Sequence, residues 1–347
     1  MTMQPAIHQF IDRNSREIIT ERLLADKTVH FLYHRLRESA PVMFRMLTSA
    51  RLSSLLAFCR YDMPVIGAGR TGKEGEARAR ALFAGIGADW RECVEPLSFY
   101  DSHRKIFERQ IRYGKTRPMG EKTTTVVAPA DSRLLLGSFA DTSGLFIKEK
   151  YFDLEELLGA STSWPERFRH GDFAVFRLTP DKYHYNHLPV SGRVVDFYGL
   201  DGRHHSCNPS AFIAMASLVA KNRRIVTVID TDVPSGSQVG VVAMVEIVAL
   251  MIGDIVQVYS EERYDRPRAI EPGMFVTRGC PKSLFRPGSS TVVLLFEPGR
   301  IRFAGDLADN SRRRDVQSRF SGFFGRPLVE TDVRVRSEIA VREFRGE

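Results

Sequence analysis

The sequence is poor in cysteine and tryptophan, and it has no long hydrophobic run that is free of charge. Its 347 residues include four cysteines and two tryptophans, and the cysteines are widely scattered, with no C-x-x-C pair. This spacing argues against a disulfide framework or a zinc ribbon and fits a reducing compartment. With 43% apolar and 27% charged residues, the composition is that of an ordinary globular protein.

Two stretches bear on membrane insertion, and neither supports it. Residues 1–5 show no basic segment followed by an apolar core, so we expect no signal peptide. The most apolar stretch, 239–256, carries Glu246 and Asp254, whereas a spanning helix needs about 20 residues almost free of charge. We therefore expect buried strands there, no transmembrane segment, and a cytoplasmic protein.

The net charge of +8 favours anionic partners such as phosphates or acidic lipid surfaces. Residues 42–58 have an apolar stripe at helical spacing that contains Arg45 and Arg51, which fits either a core helix or one that lies on a membrane. The basic segments 102–118 and 312–314 lack the interleaved aromatic residues of stacking sites. We predict no nucleic-acid partner.

The pattern of apolar residues predicts an α+β fold. Residues 1–120 form a helical N-terminal region, because apolar residues recur there at three- and four-residue spacing. Residues 121–347 contain short β-rich runs broken by Gly, Pro, Asp and Ser, which is typical of a mostly antiparallel β-sheet core. We expect the helical region to lean on this core.

Two motifs are weaker than they look. Residues 67–72 match the dinucleotide pattern G-x-G-x-x-G and, with Lys73, approach a P-loop, but Glu74 stands where a P-loop has Ser or Thr. No convincing strand precedes them, so we interpret them as a flexible loop. His204, His205 and Cys207 are too closely spaced to close a tetrahedral metal site, so we predict no metal and a loop with partly exposed histidines.

Three further features suggest chemistry. The turn Gly-Ser-Ser-Thr, residues 288–291, opens directly into a fully apolar strand. His184 and His187 lie three residues apart in a segment bounded by prolines, and Asp131 follows an apolar strand. Each feature alone is typical of an ordinary turn or loop. Serine, histidine and aspartate together can form a nucleophile, its base and an orienting group.

In their order along the chain, these features resemble the pyruvoyl-dependent phosphatidylserine decarboxylases. The resemblance covers about residues 99–304, and no single motif in it is specific. The matching motifs are FERQI (107–111), Thr-Arg-Pro (116–118), PAD (129–131), LFIK (145–148), LEELLG (154–159), YHYNHLP (183–189), SCNP (206–209), KNRR (221–224), VG (239–240) and GSST (288–291).

The resemblance implies an enzyme that is made as an inactive chain and cuts itself. A serine hydroxyl attacks the preceding carbonyl, and elimination and hydrolysis leave a covalent pyruvoyl group at a new N-terminus. By resemblance His187 is the base, Asp131 orients it, and His184 positions the substrate or assists decarboxylation. The pyruvoyl ketone forms a Schiff base with the substrate amine and accepts the electrons released with CO2.

The family's usual motif is Gly-Ser-Thr, cut between Gly and Ser. Counting back from the apolar strand that follows, the reactive position falls on Ser290, so the peptide bond that is cut is the one between Ser289 and Ser290. The alternative cut, between Gly288 and Ser289, keeps a Gly-Ser bond and makes Ser289 the source of the pyruvoyl group. The preferred cut gives a β chain of about residues 1–289 and an α chain of about 290–347.

By resemblance the reaction converts phosphatidylserine to phosphatidylethanolamine and CO2, and the enzyme works peripherally on the inner face of an anionic membrane. Ser132, Pro281 and Ser283 depart from the family's residues, which leaves the substrate open. One alternative is an enzyme of the same chemistry that acts on a soluble amino acid such as tryptophan. Another is a non-catalytic relative that never cuts itself.

Overall fold

The computed structural model describes residues 7–23, 25–57, 59, 73–140, 153–215, 217–250, 254–287 and 290–343. The fold is mixed α+β, as the sequence predicts, and short helices flank its sheets. The helices are α1 Asp26–Phe31, α2 Arg37–Ser39, α3 Pro41–Leu47, α4 Ala50–Ala57, α5 Lys73–Ile86, α6 His103–Phe107, α7 Tyr113–Thr116, α8 Leu154–Leu158, α9 Trp164–Phe168, α10 Pro209–Ala214, α11 Gly305–Ser311 and α12 Arg319–Phe324. A π-helical turn, Leu32–Leu36, joins α1 to α2.

Most of the strands lie in the second half of the chain. They are β1 Gln9–Asp12, β2 Ile18–Thr20, β3 Thr125–Val127, β4 Ser132–Ser138, β5 Asp172–Leu178, β6 Tyr185–His187, β7 Gly192–Leu200, β8 Arg224–Asp230, β9 Val241–Val248, β10 Ile255–Gln257, β11 Phe275–Val276, β12 Pro281–Phe285, β13 Ser290–Phe296, β14 Ile301–Phe303, β15 Thr331–Val333 and β16 Glu338–Arg342.

One ten-stranded sheet organises the molecule, in the order β11-β7-β8-β9-β13-β5-β4-β15-β1-β2. Its neighbouring strands are antiparallel except for β1 and β15, which are parallel. Two three-stranded antiparallel sheets, β10-β12-β6 and β14-β16-β3, accompany it. The prediction of a mostly antiparallel core is confirmed.

The centre of the large sheet is buried on both faces: every residue of β9 and β13 is buried, and successive side chains of a strand point to opposite sides. Val245, Ile247 and Val293 pack with the N-terminal helices in one cluster. Val248 and Val292 pack in the other cluster with residues of the two small sheets. Strand β9 is therefore buried along its whole length and apolar at every position except Glu246, which explains why this stretch is among the most apolar of the sequence. In the part of the chain that the structure describes, no helix is long and apolar enough to cross a membrane.

The N-terminal region differs from the helical prediction in two respects. Strands β1 and β2 precede the helices and extend the large sheet at its edge, where β1 pairs with β15. The helix expected over 42–58 is also divided into α3 and α4, with a break at Thr48 and Ser49. Pro41 begins α3 at its first turn, where a proline lacks no hydrogen bond. The glycine-rich residues 67–72 lie outside the described residues.

Candidate active site

Ser290 is the first residue of β13, in the middle of the large sheet. It pairs with Leu178 of β5 on one side and with Val248 of β9 on the other. Its side chain is fully buried, and its Oγ has no hydrogen-bond partner among the described residues. A buried hydroxyl without a partner is costly, at about 1–3 kcal/mol, so such a group needs an explanation. Gly288 and Ser289 lie outside the described residues.

The segment that carries the two histidines follows β5, the strand that pairs with β13. Leu178 pairs with Ser290, and six residues later the His184 carbonyl accepts a hydrogen bond of 3.1 Å from the Phe285 backbone N–H. The segment 179–183 therefore begins beside Ser290 and ends where the His184 carbonyl bonds to Phe285. His187 follows on β6, where it pairs with Pro281 of β12.

His184 is a neutral imidazole with both nitrogens available. It is fully buried, and neither Nδ1 nor Nε2 has a hydrogen-bond partner among the described residues. Its ring stacks on Phe107, with centroids 3.7 Å apart. Burial lowers the pKa of His184 to about 3, and the Arg109 guanidinium acts in the same direction. A neutral imidazole can both accept and donate a proton at neutral pH.

His187 is also buried and neutral, but both of its nitrogens are engaged. Nδ1 lies 2.8 Å from the Gly279 carbonyl oxygen, which can only accept, so Nδ1 carries the hydrogen. Nε2 lies 3.0 Å from the Tyr183 hydroxyl. Burial lowers the pKa of His187 to about 3, although the bond to Gly279 opposes this. Nε2 carries no hydrogen, and its single lone pair, which faces the Tyr183 hydroxyl, makes His187 a candidate base.

Asp131 lies near His187, yet it is bonded to other groups. The backbone N–H of His187 donates to the Pro129 carbonyl at 2.7 Å, which brings the 129–131 segment beside β6. The Asp131 carboxylate accepts two-pronged hydrogen bonds from Arg117 at 2.8–3.2 Å and one from the Val335 N–H at 2.8 Å. No hydrogen bond joins Asp131 to His187 or to Ser290 among the described residues.

Arg117 determines the charge state of Asp131. Burial has the largest single effect and raises the pKa of this carboxyl, but the Arg117 guanidinium, the Val335 N–H and Lys182 together outweigh it, so the pKa lies below its usual value. Glu92 also binds Arg117, at 2.9 Å, so the cation sits between two carboxylates. Sequence reasoning gave Arg117 no role, although it belongs to the Thr-Arg-Pro motif at 116–118.

A buried ion pair links the small sheet β10-β12-β6 to the large one. Lys282 of β12 and Glu246 of β9 are both fully buried, and Nζ lies 2.6 Å from a carboxylate oxygen. The neighbouring Ser283 also donates to Glu246, together with Asn186 at 3.1 Å. The register between β12 and β6 shifts between Pro281 and Ser283, a β-bulge that lets Lys282 and Ser283 face the same carboxylate.

The prediction that His204 and His205 are partly exposed is wrong. His204 and His205 are both buried, since the His204 N–H donates to Thr48 and His205 stacks on Phe44. Within the described ranges, one group has spacing suited to a metal: His8, Glu21 and Glu330. Arg177 binds both of these carboxylates, at 2.5 and 2.6 Å, and supplies the positive charge that a metal would bring.

A buried serine at the start of a central strand, and two buried, neutral histidines on the segment that follows its partner strand β5, are groups that serine- and histidine-based chemistry uses. Residues 104–317 match the family model for phosphatidylserine decarboxylase. A phosphatidylserine decarboxylase proenzyme of Chlamydia trachomatis is 34% identical over 227 residues, which cover 64% of this chain and 69% of the relative. The corresponding proenzyme of Chlamydia felis is 28% identical over 310 residues, covering 88% and 92%.

A plant relative, phosphatidylserine decarboxylase proenzyme 2 of Oryza sativa, is 34% identical over 226 residues, covering 64% of this chain and 33% of its own length. The chain therefore belongs to the phosphatidylserine decarboxylase family. This confirms the resemblance and the enzyme class that the ordered motifs predicted. The names of these relatives describe them as proenzymes, that is, as precursors.

Proposed function

We propose that this chain is a proenzyme that cuts itself between Ser289 and Ser290 and then converts phosphatidylserine to phosphatidylethanolamine and CO2. The observation that carries the proposal is the buried Ser290 hydroxyl, which has no hydrogen-bond partner among the described residues although it starts a central strand. A hydroxyl kept without a competing bond is available to attack the carbonyl carbon of residue 289. The alternative cut, Gly288–Ser289, would make Ser289 the nucleophile.

In the cleavage step, the Ser290 Oγ–H bond breaks and an ester bond forms to residue 289, while the peptide C–N bond opens. The hydroxyl proton leaves to a base, and a proton returns to the Ser290 nitrogen. We assign the base to His187, because it is neutral and its Nε2 keeps a lone pair. The Asp131 charge raises the pKa of His187, against the larger effect of burial, and so favours the protonated base.

Ser290 is also the residue that would become the pyruvoyl group, and its surroundings suit that group. Its hydroxyl is buried and has no hydrogen-bond partner among the described residues, and the segment after β5 carries the buried, neutral His184. The pyruvoyl group supplies an electrophilic ketone that accepts the electron pair released with CO2. His184 would position the amine-bearing carboxylate substrate or move a proton at it.

An anionic membrane surface is the proposed site of action. Val42, Met43 and Met46 are exposed on α3, as are Leu55 and Leu56 on α4. Arg45 and Arg51 on the same helices are exposed too, and basic side chains near an anionic surface add about 1 kcal/mol each to binding. Apolar side chains flanked by arginines fit peripheral binding on the inner face of a membrane.

Replacing Met43 and Met46 with serine is expected to weaken binding to vesicles of phosphatidylcholine and phosphatidylserine about tenfold or more. Each side chain would lose apolar area that it buries among lipids. Sedimentation with vesicles measures the effect. The control replaces Val195 and Phe275, which are also apolar and exposed but lie on β7 and β11 at one edge of the large sheet, with serine. Equal losses in both variants, or none in either, would contradict a membrane face on α3.

The substrate is tested by giving the purified full chain phosphatidylserine in vesicles or free amino acids such as tryptophan and serine. We expect phosphatidylethanolamine and CO2 from the lipid and no CO2 from the free amino acids. Intact mass should show two chains, the smaller beginning at residue 290 with a blocked N-terminus. Activity with the free amino acid alone would replace the substrate in the proposal. A chain that stays whole and inactive would identify a non-catalytic relative.

A further inference from the structure

A cavity of about 430 Å³ is lined by residues of helix α3 and by Arg224, the first residue of β8. Phe44 and Arg45 contribute the wall that belongs to α3, and His205 and Lys221 also line the cavity. Its volume falls in the range of about 300–1,000 Å³ that is typical of ligand sites in proteins. None of the predicted catalytic residues lines it, so this cavity, which we call the α3 cavity, is separate from the candidate active site.

Positive charge exceeds negative charge in the walls of the α3 cavity. Four cationic side chains and two carboxylates line it: Arg45, Arg203, Lys221 and Arg224 against Glu156 and Asp201. Lys221 and Glu156 already pair with each other, at 2.9 Å. The walls therefore carry a net charge of two positive units, which favours an anionic ligand.

Three of these cations are guanidinium groups that make no ion pair with a carboxylate among the described residues. Arg224 is buried, and its guanidinium donates to three backbone carbonyls, two of them at 2.7 Å. Carbonyl groups satisfy its N–H groups but carry no net charge, so its cation has no counter-ion in contact. Arg45 and Arg203 are exposed, and Arg203 Nη1 donates to the Arg45 carbonyl at 3.1 Å. Since a guanidinium has five N–H donors, both keep donors for a ligand that enters from solvent.

His205 adds a neutral donor to the same cavity. The Tyr33 hydroxyl accepts a hydrogen bond of 2.8 Å from the Ser206 backbone N–H and lies 3.2 Å from His205 Nδ1. Among the described residues, Nδ1 is the acceptor that this buried hydroxyl meets, so Tyr33 donates to Nδ1 and the ring hydrogen of His205 is on Nε2. Nε2 is buried and has no hydrogen-bond partner within the described ranges.

The surroundings of His205 keep this donor neutral and leave it to the cavity. Burial lowers the pKa of His205 to about 4, and the charges of Arg203 and Lys221 act in the same direction. Tyr33 holds Nδ1, and Phe44 stacks on the ring with centroids 5.9 Å apart, so Nε2–H is the polar group that His205 offers to the cavity. A buried N–H without an acceptor is costly, which favours a ligand that brings one.

We propose that the α3 cavity binds a phosphate group. Guanidinium groups bind phosphate oxygens through paired N–H donors. A tetrahedral phosphate presents oxygens in several directions, so it can accept from Arg45 and Arg203 at the exposed rim and from the His205 Nε2–H in the wall. A carboxylate has two oxygens in one plane and would leave more of these donors unused. The phosphate charge also balances the net positive charge of the walls.

The expected source of the phosphate is a phospholipid. Arg45 lies on α3 between Met43 and Met46, whose exposed side chains belong to the proposed membrane face, so the headgroups of a membrane would lie beside the cavity. A soluble phosphate ester presents the same chemical group. The proposal goes beyond the proposed function, because it requires neither cleavage nor decarboxylation.

Binding is measured by titration calorimetry on the full-length chain with Ser290→Ala, with inorganic phosphate and glycerol 3-phosphate as soluble probes. Arg203→Gln should weaken the binding of both at least about tenfold, because a charged hydrogen-bond donor is lost. Arg193→Gln is the matched control. Arg193 is also exposed, and its Nη1 also donates to a backbone carbonyl, that of Gly273 at 3.3 Å, but it does not line the cavity. Its affinity for both probes should stay within about twofold of the parent.

A second measurement reports on His205 itself. The proton on Nε2 is recorded in the same protein labelled with ¹⁵N-histidine, and its resonance is identified by its absence from His205→Phe. Saturating phosphate should move this resonance downfield, because the N–H then donates to an anionic oxygen. Sodium chloride at the same ionic strength should leave it in place.

Sedimentation with vesicles of phosphatidylcholine and phosphatidylglycerol, neither of which is a substrate for decarboxylation, distinguishes the two sources of phosphate. Weaker vesicle binding by Arg203→Gln than by Arg193→Gln would assign the cavity to a lipid headgroup. Equal vesicle binding by the two variants, with soluble phosphate binding lost in Arg203→Gln alone, would assign it to a soluble phosphate ester.

Three results would overturn the proposal: a parent protein that binds neither soluble probe, equal affinities of Arg203→Gln and Arg193→Gln for those probes, or an Nε2 proton of His205 that phosphate does not move. All of these measurements use an uncut chain. A negative result would therefore leave decarboxylation by the wild type untouched, and a wild type without decarboxylation would leave the phosphate site untouched.

Discussion

Ser290→Ala leaves the chain whole and lowers decarboxylation by at least about 1,000-fold, because it removes both the nucleophile and the source of the pyruvoyl group. Intact mass spectrometry should give a single species with all 347 residues. The variant should still fold, since the hydroxyl that it deletes is buried and makes no hydrogen bond within the described residues. Loss of activity is therefore expected without loss of the native circular dichroism spectrum.

Ser289→Ala is the matched control for this prediction. With the cut between residues 289 and 290, this variant should still be processed, and its small chain should still begin with the group derived from residue 290. If instead Ser289→Ala stays whole and Ser290→Ala is cut, the reactive residue is Ser289 and the cut follows Gly288. If both variants are cut, neither serine is the nucleophile and the proposed chemistry is wrong.

Lys282→Met is expected to lower the free energy of unfolding by about 3–5 kcal/mol, because it leaves the Glu246 carboxylate buried without its cation. The comparison is made in the Ser290→Ala background, so that every sample is one uncut chain. Urea or thermal unfolding measures the change. Burial lowers the pKa of Lys282 against the opposing effect of Glu246, which fits a lysine that depends on this one partner for its charge.

The double variant Lys282→Met/Glu246→Gln should recover most of the lost stability. It removes both charges, and the new amide can still accept from Ser283 and Asn186 and can donate to Gln257, which Lys282 contacts at 3.0 Å. Arg286→Met, at an exposed cation four residues along the chain, serves as the control and should change stability by less than about 0.5 kcal/mol. A Lys282→Met variant as stable as its parent would show that the pair is not isolated from water.

The strands of the core could be predicted because their sequences are continuous and apolar. Strands β5, β8, β9 and β13 each lie within a β-rich run, and burial on both faces explains why they lack alternation. Strands β1 and β2 were missed. They have four and three residues, and β1 takes its place in the sheet by pairing with β15, some 320 residues away. A local pattern carries no information about such a contact.

In the candidate site, too, contacts between residues that are distant in sequence could not be predicted. The ordered motifs identified the residue types Asp131, His184, His187 and Ser290, and their roles stay predictions. The motifs did not give their partners: Arg117 holds Asp131, and Tyr183 holds His187. Tyr183 also contacts Tyr264, 81 residues away, and Lys282 is 36 residues from Glu246, so neither contact has a sequence signal. Glu246 was noticed only as a charge that argues against a membrane span.

The position of β13 has a consequence for the order of events in the life of this protein. A cut before Ser290 would assign the four strands β13 to β16 to the small chain. Yet β13 lies between β9 and β5, β15 between β1 and β4, and β16 beside β3. Strands of the two product chains would alternate within the same sheets and be joined by backbone hydrogen bonds. Folding must then come first and cutting second. Once unfolded, the mature enzyme would not be expected to refold, because its two separated chains no longer have the covalent link that placed β13 between its neighbours.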